Sequence, residues 1–403
     1  MNQFNFISDS SKRKIASSFM KIIIGSSFLL FSCKGSNTNT KSDTSIDETA
    51  ADFSFETKLK HARKFIVNNY AEYKEVIILH PLQDDTLATY LLVPKATLLP
   101  DKIVKQEKTY LIHVPIKSIV CLSSSHVGAL AVLGLPDHIK GATNTDGYWD
   151  PTVQELVHEG LIKDVGRGMS TNIEQIIALQ PDVITKNDHT TNISHEELLT
   201  IGINTLYYND WRESDLLARA EWMKLMGLLF CKAELADSIF NKTEERYNRV
   251  KTLALTAQTK PRVLIAQDIR GVWFVPGDRS YVPRMIEDAH ATIKTVEGAS
   301  ASLPCSFEQV FNEHRNDDYW FSLKGGTTKT LSEFGNSSEH YKKFEAFKNG
   351  QVYFNNKRVK PHGGNDFWES GAYYPDVILK DLVKIIHPEL LPDHETYYWR
   401  KLD

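Results

Sequence analysis

The sequence predicts an α/β protein made of two similar lobes, each a mainly parallel sheet flanked by helices, joined by a single long interlobe helix. Three observations carry this. A short pattern occurs twice, as Asn172-Ile173-Glu174-Gln175-Ile176 and as Ser306-Phe307-Glu308-Gln309-Val310. Each copy reads as a capped helix start that leads into a strand, at 181–185 and at 318–322. Strands alternate with helices on both sides of the chain's middle, which is the pattern of parallel sheets. Between the two halves, residues 232–255 contain neither Gly nor Pro and space Leu235, Ile239, Tyr247 and Val250 near the helical period. Such a helix is about 35 Å long and would act as a stiff connector.

In chain order, the first element is a secretory signal over residues 1–33. Met20-Lys21 is followed by an apolar run at 22–31 and then by Ser32-Cys33. The run is short for a bilayer span, and Leu30-Phe31-Ser32-Cys33 resembles a bacterial lipobox, which makes Cys33 the lipidated residue. Met20 is an alternative start, because residues 1–19 add nothing such a signal needs. Residues 34–52 are rich in Ser, Thr, Asn and Asp and form a disordered tether. The expected location is therefore the cell envelope, lipid-anchored in the periplasm or at the cell surface.

Residues 53–116 carry three apolar runs, at 76–79, 89–93 and 110–114, punctuated by Pro81 and Pro94. They predict a β-rich extension packed on the first lobe. That lobe spans 117–212. It opens on a buried strand at 119–122, with Ser123-Ser124-Ser125 capping a helix that ends near Gly134. Strands at 139–142, 182–185 and 205–208 follow, with the Glu174 helix and a helix at 196–201 between them. Interlobe helices fill 213–260. The second lobe, 261–403, repeats the order with strands at 262–266, 292–296, 318–322 and 352–354. Helices at 281–288, 339–347 and 375–386 accompany the Glu308 helix.

Composition narrows the function. With 47 basic and 51 acidic residues the net charge is −4, which gives no electrostatic case for nucleic acid. Cys121, Cys231 and Cys305 are far apart with no CxxC spacing, so no structural-zinc signature is present. Cys121 reads as a small buried hydrophobe. The strand-to-helix turn Leu122-Ser123-Ser124-Ser125-His126 lacks the glycines of a nucleophile elbow. Gly166-Arg167-Gly168 lacks the third glycine of a dinucleotide loop and reads as a flexible loop. HExxH, Walker A and DxDxDG patterns do not occur. No catalytic constellation and no cofactor signature remain. His126, His189 and His362 fall at strand or helix ends, and a bare-metal site would need them to converge with carboxylates.

Taken together, the lipobox, the tether, Lys117-Ser118-Ile119-Val120-Cys121-Leu122-Ser123-Ser124, the 172–184 block, the interlobe helix and the Ser306–Val310 block resemble the helical-backbone periplasmic substrate-binding proteins. These serve ATP-binding-cassette importers of ferric siderophores, cobalamin and haem. The resemblance covers residues 117–387, and Gly363-Gly364-Asn365-Asp366-Phe367-Trp368-Glu369-Ser370-Gly371 with Pro375-Asp376 extends it. It implies a non-enzymatic lipoprotein that captures a ferric siderophore or related chelate and delivers it to an importer permease. Cobalamin or haem in the same fold is the alternative, and an envelope enzyme acting on a metal chelate is a further one. It implies that Glu174 and Glu308 pair with permease arginines, although a carboxylate in a first helical turn is also plain helix-start chemistry. The ligand would lie between the lobes, at loops leaving the carboxyl ends of the strands. His126, Tyr148, Trp149, Trp211, Arg212, Arg270, Trp273, Arg279, His362 and Trp368 meet that description. Trp149 and Trp273 lead the set as matched loop aromatics of the two lobes, and the arginines would suit an anionic ferric chelate. A loop tryptophan is as readily a lobe-packing residue, and the sequence leaves both readings open.

Overall fold

The computed structural model describes residues 54–403, apart from 81–82, 84, 96–98, 100–102, 104–105, 168–169, 189, 191–192 and 324–325. Cys33 and His189 therefore lie outside the described residues. Strands β1 (Phe65–Asn69), β2 (Lys74–Leu79), β3 (Thr86–Pro94) and β4 (Thr109–Val114) form an N-terminal sheet in that order. The first three are antiparallel and β4 joins β3 in parallel. In β2 the alternate residues Val76 and Ile78 are fully buried, the period-2 signature of a sheet with one face on a core. That core is shared with the first lobe, since Phe65 packs its ring 4.7 Å from Trp222.

The first lobe contains β5 (Ile119–Cys121), β6 (Ile139–Ala142), β7 (Lys163–Asp164), the small hairpin β8 (Gly166–Arg167) and β9 (Ser170–Thr171), β10 (Val183–Lys186) and β11 (Asn204–Tyr207). Its sheet runs β11-β10-β5-β6-β7, all parallel. Ile119 and Cys121 face one hydrophobic cluster while Val120 and Leu122 face another. Burial on both faces is what covering helices produce, and it explains why β5 reads as a continuous apolar run.

The second lobe contains β12 (Arg262–Ile265), β13 (Gln267–Ile269), β14 (Val272–Val275), β15 (Thr292–Ile293), β16 (Leu303–Cys305), β17 (Tyr319–Ser322), β18 (Val352–Phe354) and β19 (Arg400–Lys401). The main sheet, β15-β12-β17-β18-β19, is parallel except for β19. Strands β13, β14 and β16 make a separate antiparallel sheet that the sequence reading did not contain. The expected helix at 339–347 is instead a 3₁₀ turn, Tyr341–Lys343, followed by the short helix Glu345–Lys348.

The connector is the 22-residue helix Ala233–Ala254, about 33 Å long. Ala236, Phe240, Thr243, Tyr247, Val250 and Ala254 form its buried stripe, spaced by threes and fours. Ala236 and Phe240 enter the first lobe's core, and Tyr247, Val250 and Ala254 enter the second's. Leu235 lies off this stripe and is exposed, one position away from where its apolar character suggested. The chain also touches back between the lobes after β18. Phe367 packs in the second lobe, Ala372 and Tyr373 pack in the first, and the closing helix Pro375–Ile386 returns to the second. We call residues 355–374 the strap.

Candidate ligand site between the lobes

Parallel sheets create binding crevices where the strand order reverses, beyond the carboxyl ends of the strands. In the first lobe the reversal lies between β5 and β10, and in the second between β12 and β17. Loops from the first lobe's carboxyl ends meet the strap around two cavities. The inner one, about 250 Å³, is lined by Ser124, Thr143, Asn144, Asp146 and Tyr148 from the first lobe and by His362, Asn365, Trp368 and Glu369 from the strap. The outer one, about 370 Å³, lies between Gly128, Ala131, Val132, Trp149 and Pro151 on one side and Arg358, Asp366, Glu369, Tyr374, Val377, Tyr397 and Tyr398 on the other.

Glu369 lines both cavities. Its carboxylate accepts the backbone N–H of Trp149 at 2.8 Å and of Asp150 at 2.9 Å. Among the described residues no cation pairs with it. Burial, helped by the charges of Asp366 and Asp150, therefore pushes its pKa up to about 7 against the pull of those two amides. The Trp149 indole N–H donates to the Gly364 carbonyl at 3.2 Å. The Arg358 guanidinium lies 4.4 Å from the rings of both Trp149 and Tyr397, and it is ion-paired to Asp366. Two glycines let these segments touch. A Cβ at Gly364 would land on the Gly147 carbonyl oxygen, and one at Gly128 would land on that of Glu369.

Of the residues expected at the site, Tyr148, His362 and Trp368 reach the inner cavity and Trp149 the outer one. Tyr148 is buried and its hydroxyl donates to the Thr143 carbonyl at 2.8 Å, so its ring forms the wall. Two others, His126 and Trp273, require correction, because both are buried in cores. His126 is fully buried, held by the Thr185 hydroxyl at 3.0 Å and the Tyr208 carbonyl at 3.1 Å. Burial drives its pKa down to about 4, and it is a neutral core histidine. Trp273 is 1% exposed and packs among Trp320, Tyr341 and Phe344 in the second lobe's core. Strand alternation in β14 sends it inward, which a loop reading could not foresee.

Trp211 stacks on Arg212, whose guanidinium is 3.8 Å from its ring and is bound to Asp188 at 2.8 Å. Arg270 is exposed at the tip of the β13–β14 hairpin, with φ 56°. Arg279 is exposed in the loop before the helix Tyr281–Asp288. None of these four lines either cavity. The serine turn also differs from expectation. Ser123 holds the N-cap position without a side-chain cap bond, and Ser125 donates to Asp210 at 2.9 Å. Cys121 is buried, with its thiol pushed up to about 12, and Gly166-Arg167 belongs to a hairpin.

Glu174 and Glu308 are both exposed and both occupy the second residue after an N-cap. Asn172 accepts the Gln175 N–H at 3.0 Å, and Ser306 with Gln309 closes a full capping box. Among the described residues no group of three or more His, Cys, Asp or Glu is arranged to hold a metal ion. Glu369, Arg358 and Asp366 were not singled out by sequence reasoning. The signal for Asp366 and Glu369 was the run 363–371, with its three glycines and two acids, and Arg358 lies just before it.

Two α/β lobes on a helical connector, with a cavity of mixed polar and aromatic character where the first lobe meets the strap, define an architecture able to hold a small ligand. The sequence belongs to the periplasmic binding protein family, whose profile matches residues 119–359. Family and structural neighbours are transport substrate-binding proteins, not enzymes. An uncharacterized lipoprotein of Methanocaldococcus jannaschii is 24% identical over 302 residues, 72% of this chain and 70% of the relative. The triscatecholate siderophore-binding protein FeuA of Bacillus subtilis, complexed with ferri-bacillibactin, shares the fold with a TM-score of 0.53 at 19% identity, covering 69% of this chain and 94% of that one. The vitamin B12 binding protein BtuF of Vibrio cholerae does so with a TM-score of 0.51 at 14% identity, covering 70% and 99%. No helix among the described residues is long and apolar enough to cross a membrane.

Proposed function

We propose that this protein captures a metal chelate of the ferric siderophore, cobalamin or haem type between its lobes and delivers it to an ATP-binding-cassette importer, tethered to the membrane by a lipid on Cys33. The observation that carries the capture step is the meeting of Tyr148 from one lobe with His362 and Trp368 from the strap around one cavity. The long helical connector supports modest lobe movement around that cavity, because a helix buried in both cores bends little. The ligands named for FeuA and BtuF support the chelate class. The lipobox and the lipoprotein name of the archaeal relative support the anchor.

Glu174 and Glu308 serve as the docking residues on the permease. Their support is their exposure at equivalent places in the two lobes, each the second residue after an N-cap. Titration of the purified protein with ferric siderophores, cyanocobalamin and haem, followed by tryptophan fluorescence, tests the capture step. Saturable quenching by one class is expected, and no response to any of them would overturn it. A Cys33→Ala variant is expected in the soluble fraction, and continued membrane association would overturn the anchor.

A further inference from the structure

The arginines near the cleft each carry an acid of their own. Arg167 binds Asp146 at 2.7 Å, Arg212 binds Asp188 at 2.8 Å, Arg219 binds Asp210 at 3.0 Å, and Arg358 is paired with Asp366. Arg167 ends β8, Arg212 and Arg219 follow β11, and Arg358 follows β18. Three of these acids are buried or nearly so, and the guanidiniums of Arg212 and Arg219 are at most 9% exposed. These charges are consumed within the protein rather than offered to a ligand. The inner cavity itself has no arginine or lysine among its described lining residues. Its ionisable groups there are Asp146, Glu369, the His362 imidazole and the buried Tyr148 phenol. Glu369 is the carboxylate left over after the pairs are counted. The rest of the lining offers hydroxyls, amides and the Trp368 ring, which bind neutral polar groups without a charge.

We infer that the cleft selects an uncharged or cationic chelate, such as a ferric trihydroxamate or a corrinoid, and rejects polyanionic ones such as a ferric tris-catecholate or a haem with ionised propionates. The inference rests on the capture reading above and narrows it. An anion moved from water into this cavity would lose its hydration, meet the Glu369 carboxyl and an Asp146 already bound to Arg167, and find no unpaired cation among the described lining residues to replace the lost water. A neutral chelate has no charge to desolvate, and a cation's loss of hydration is offset by the Glu369 carboxyl.

The test is equilibrium titration of the detergent-solubilised full chain with ferrichrome, ferrioxamine B, cyanocobalamin, ferri-bacillibactin and haem. At least one uncharged or cationic chelate is expected to bind roughly 100-fold more tightly than either anionic one. Replacing Asp146 by Asn should narrow that gap by raising affinity for the anions. Tighter binding of ferri-bacillibactin or haem would overturn the inference while leaving the capture reading intact. Loss of that binding in Arg270→Ala or Arg279→Ala would then place the anion site on the second lobe's rim. No saturable binding of any chelate would overturn the capture reading and the inference with it.

Discussion

The Glu369 carboxylate accepts the Trp149 backbone N–H at 2.8 Å, and through that bond the strap closes on the first lobe. The bond joins residues 220 positions apart and puts one carboxyl group in the wall between two cavities. Its high pKa makes the contact pH-dependent. A carboxyl whose folded pKa is raised holds its proton more tightly in the folded state. Its contribution is therefore whole below the ordinary value of 4.5 and is lost as pH rises through about 7. Wild-type stability should fall across that window by about 3 kcal/mol at most. Glu369→Gln, which cannot ionise, should flatten the profile. Thermal melts from pH 5 to 8.5 check this, and parallel curves for the two proteins would refute it.

The tryptophans divide into reporters and core. Trp149 and Trp368 line the cavities, whereas Trp222, Trp273, Trp320 and Trp399 are at most 1% exposed. Ligand-induced fluorescence changes should therefore shrink in Trp149→Phe and Trp368→Phe and persist in Trp320→Phe. An unchanged signal in the Trp149/Trp368 double variant would place the ligand elsewhere.

Trp273→Ala should destabilise the protein by about 3–5 kcal/mol, because it removes the centre of an aromatic cluster. Urea denaturation measures the loss. Ligand affinity under native conditions should stay at the wild-type level, and a large drop would return Trp273 to the binding site.

Glu174→Ala and Glu308→Ala should each change stability by no more than about 1 kcal/mol, the scale of an exposed first-turn carboxylate. They should leave chelate affinity intact and lower uptake in cells, with the double variant lower than either alone. Wild-type uptake by the double variant would reduce both residues to helix-start chemistry.

Glu221 binds the N-terminal extension to the interlobe helices. Fully buried, it accepts the backbone N–H groups of Lys60, His61 and Ala62, the last at 2.8 Å, and pairs with buried Lys224 at 2.9 Å. Glu221→Ala would strand those backbone donors, at a cost of about 3 kcal/mol, while Lys224 would keep Asp237 at 2.9 Å and the Lys58 carbonyl at 2.8 Å. Limited proteolysis should then cut within residues 54–116 before the lobes. Simultaneous digestion of all parts would contradict a local anchoring role.

Much of this protein was set by local sequence. Val120 alternating with Ile119 and Cys121, and Trp320 with Tyr319 and Phe321, specify strands buried on both faces. The Asn172 and Ser306 caps specify where two helices begin, and the Gly- and Pro-free stretch after Lys232 specifies the connector. These rules act over a few residues, so they can be read from the chain. The site obeyed other rules. Trp149 and Trp273 look alike as loop aromatics, yet the side of a strand on which Trp273 falls buried it, while Trp149 stayed at a cavity. Arg212 read as a free cation until folding delivered Asp188 to it, and Arg358, which the sequence did not single out, is paired with Asp366. Glu369 acquired its role from two amides more than two hundred residues away. Charge pairing, desolvation and the meeting of the strap with the first lobe depend on distances across the folded chain, and only the tertiary structure sets those.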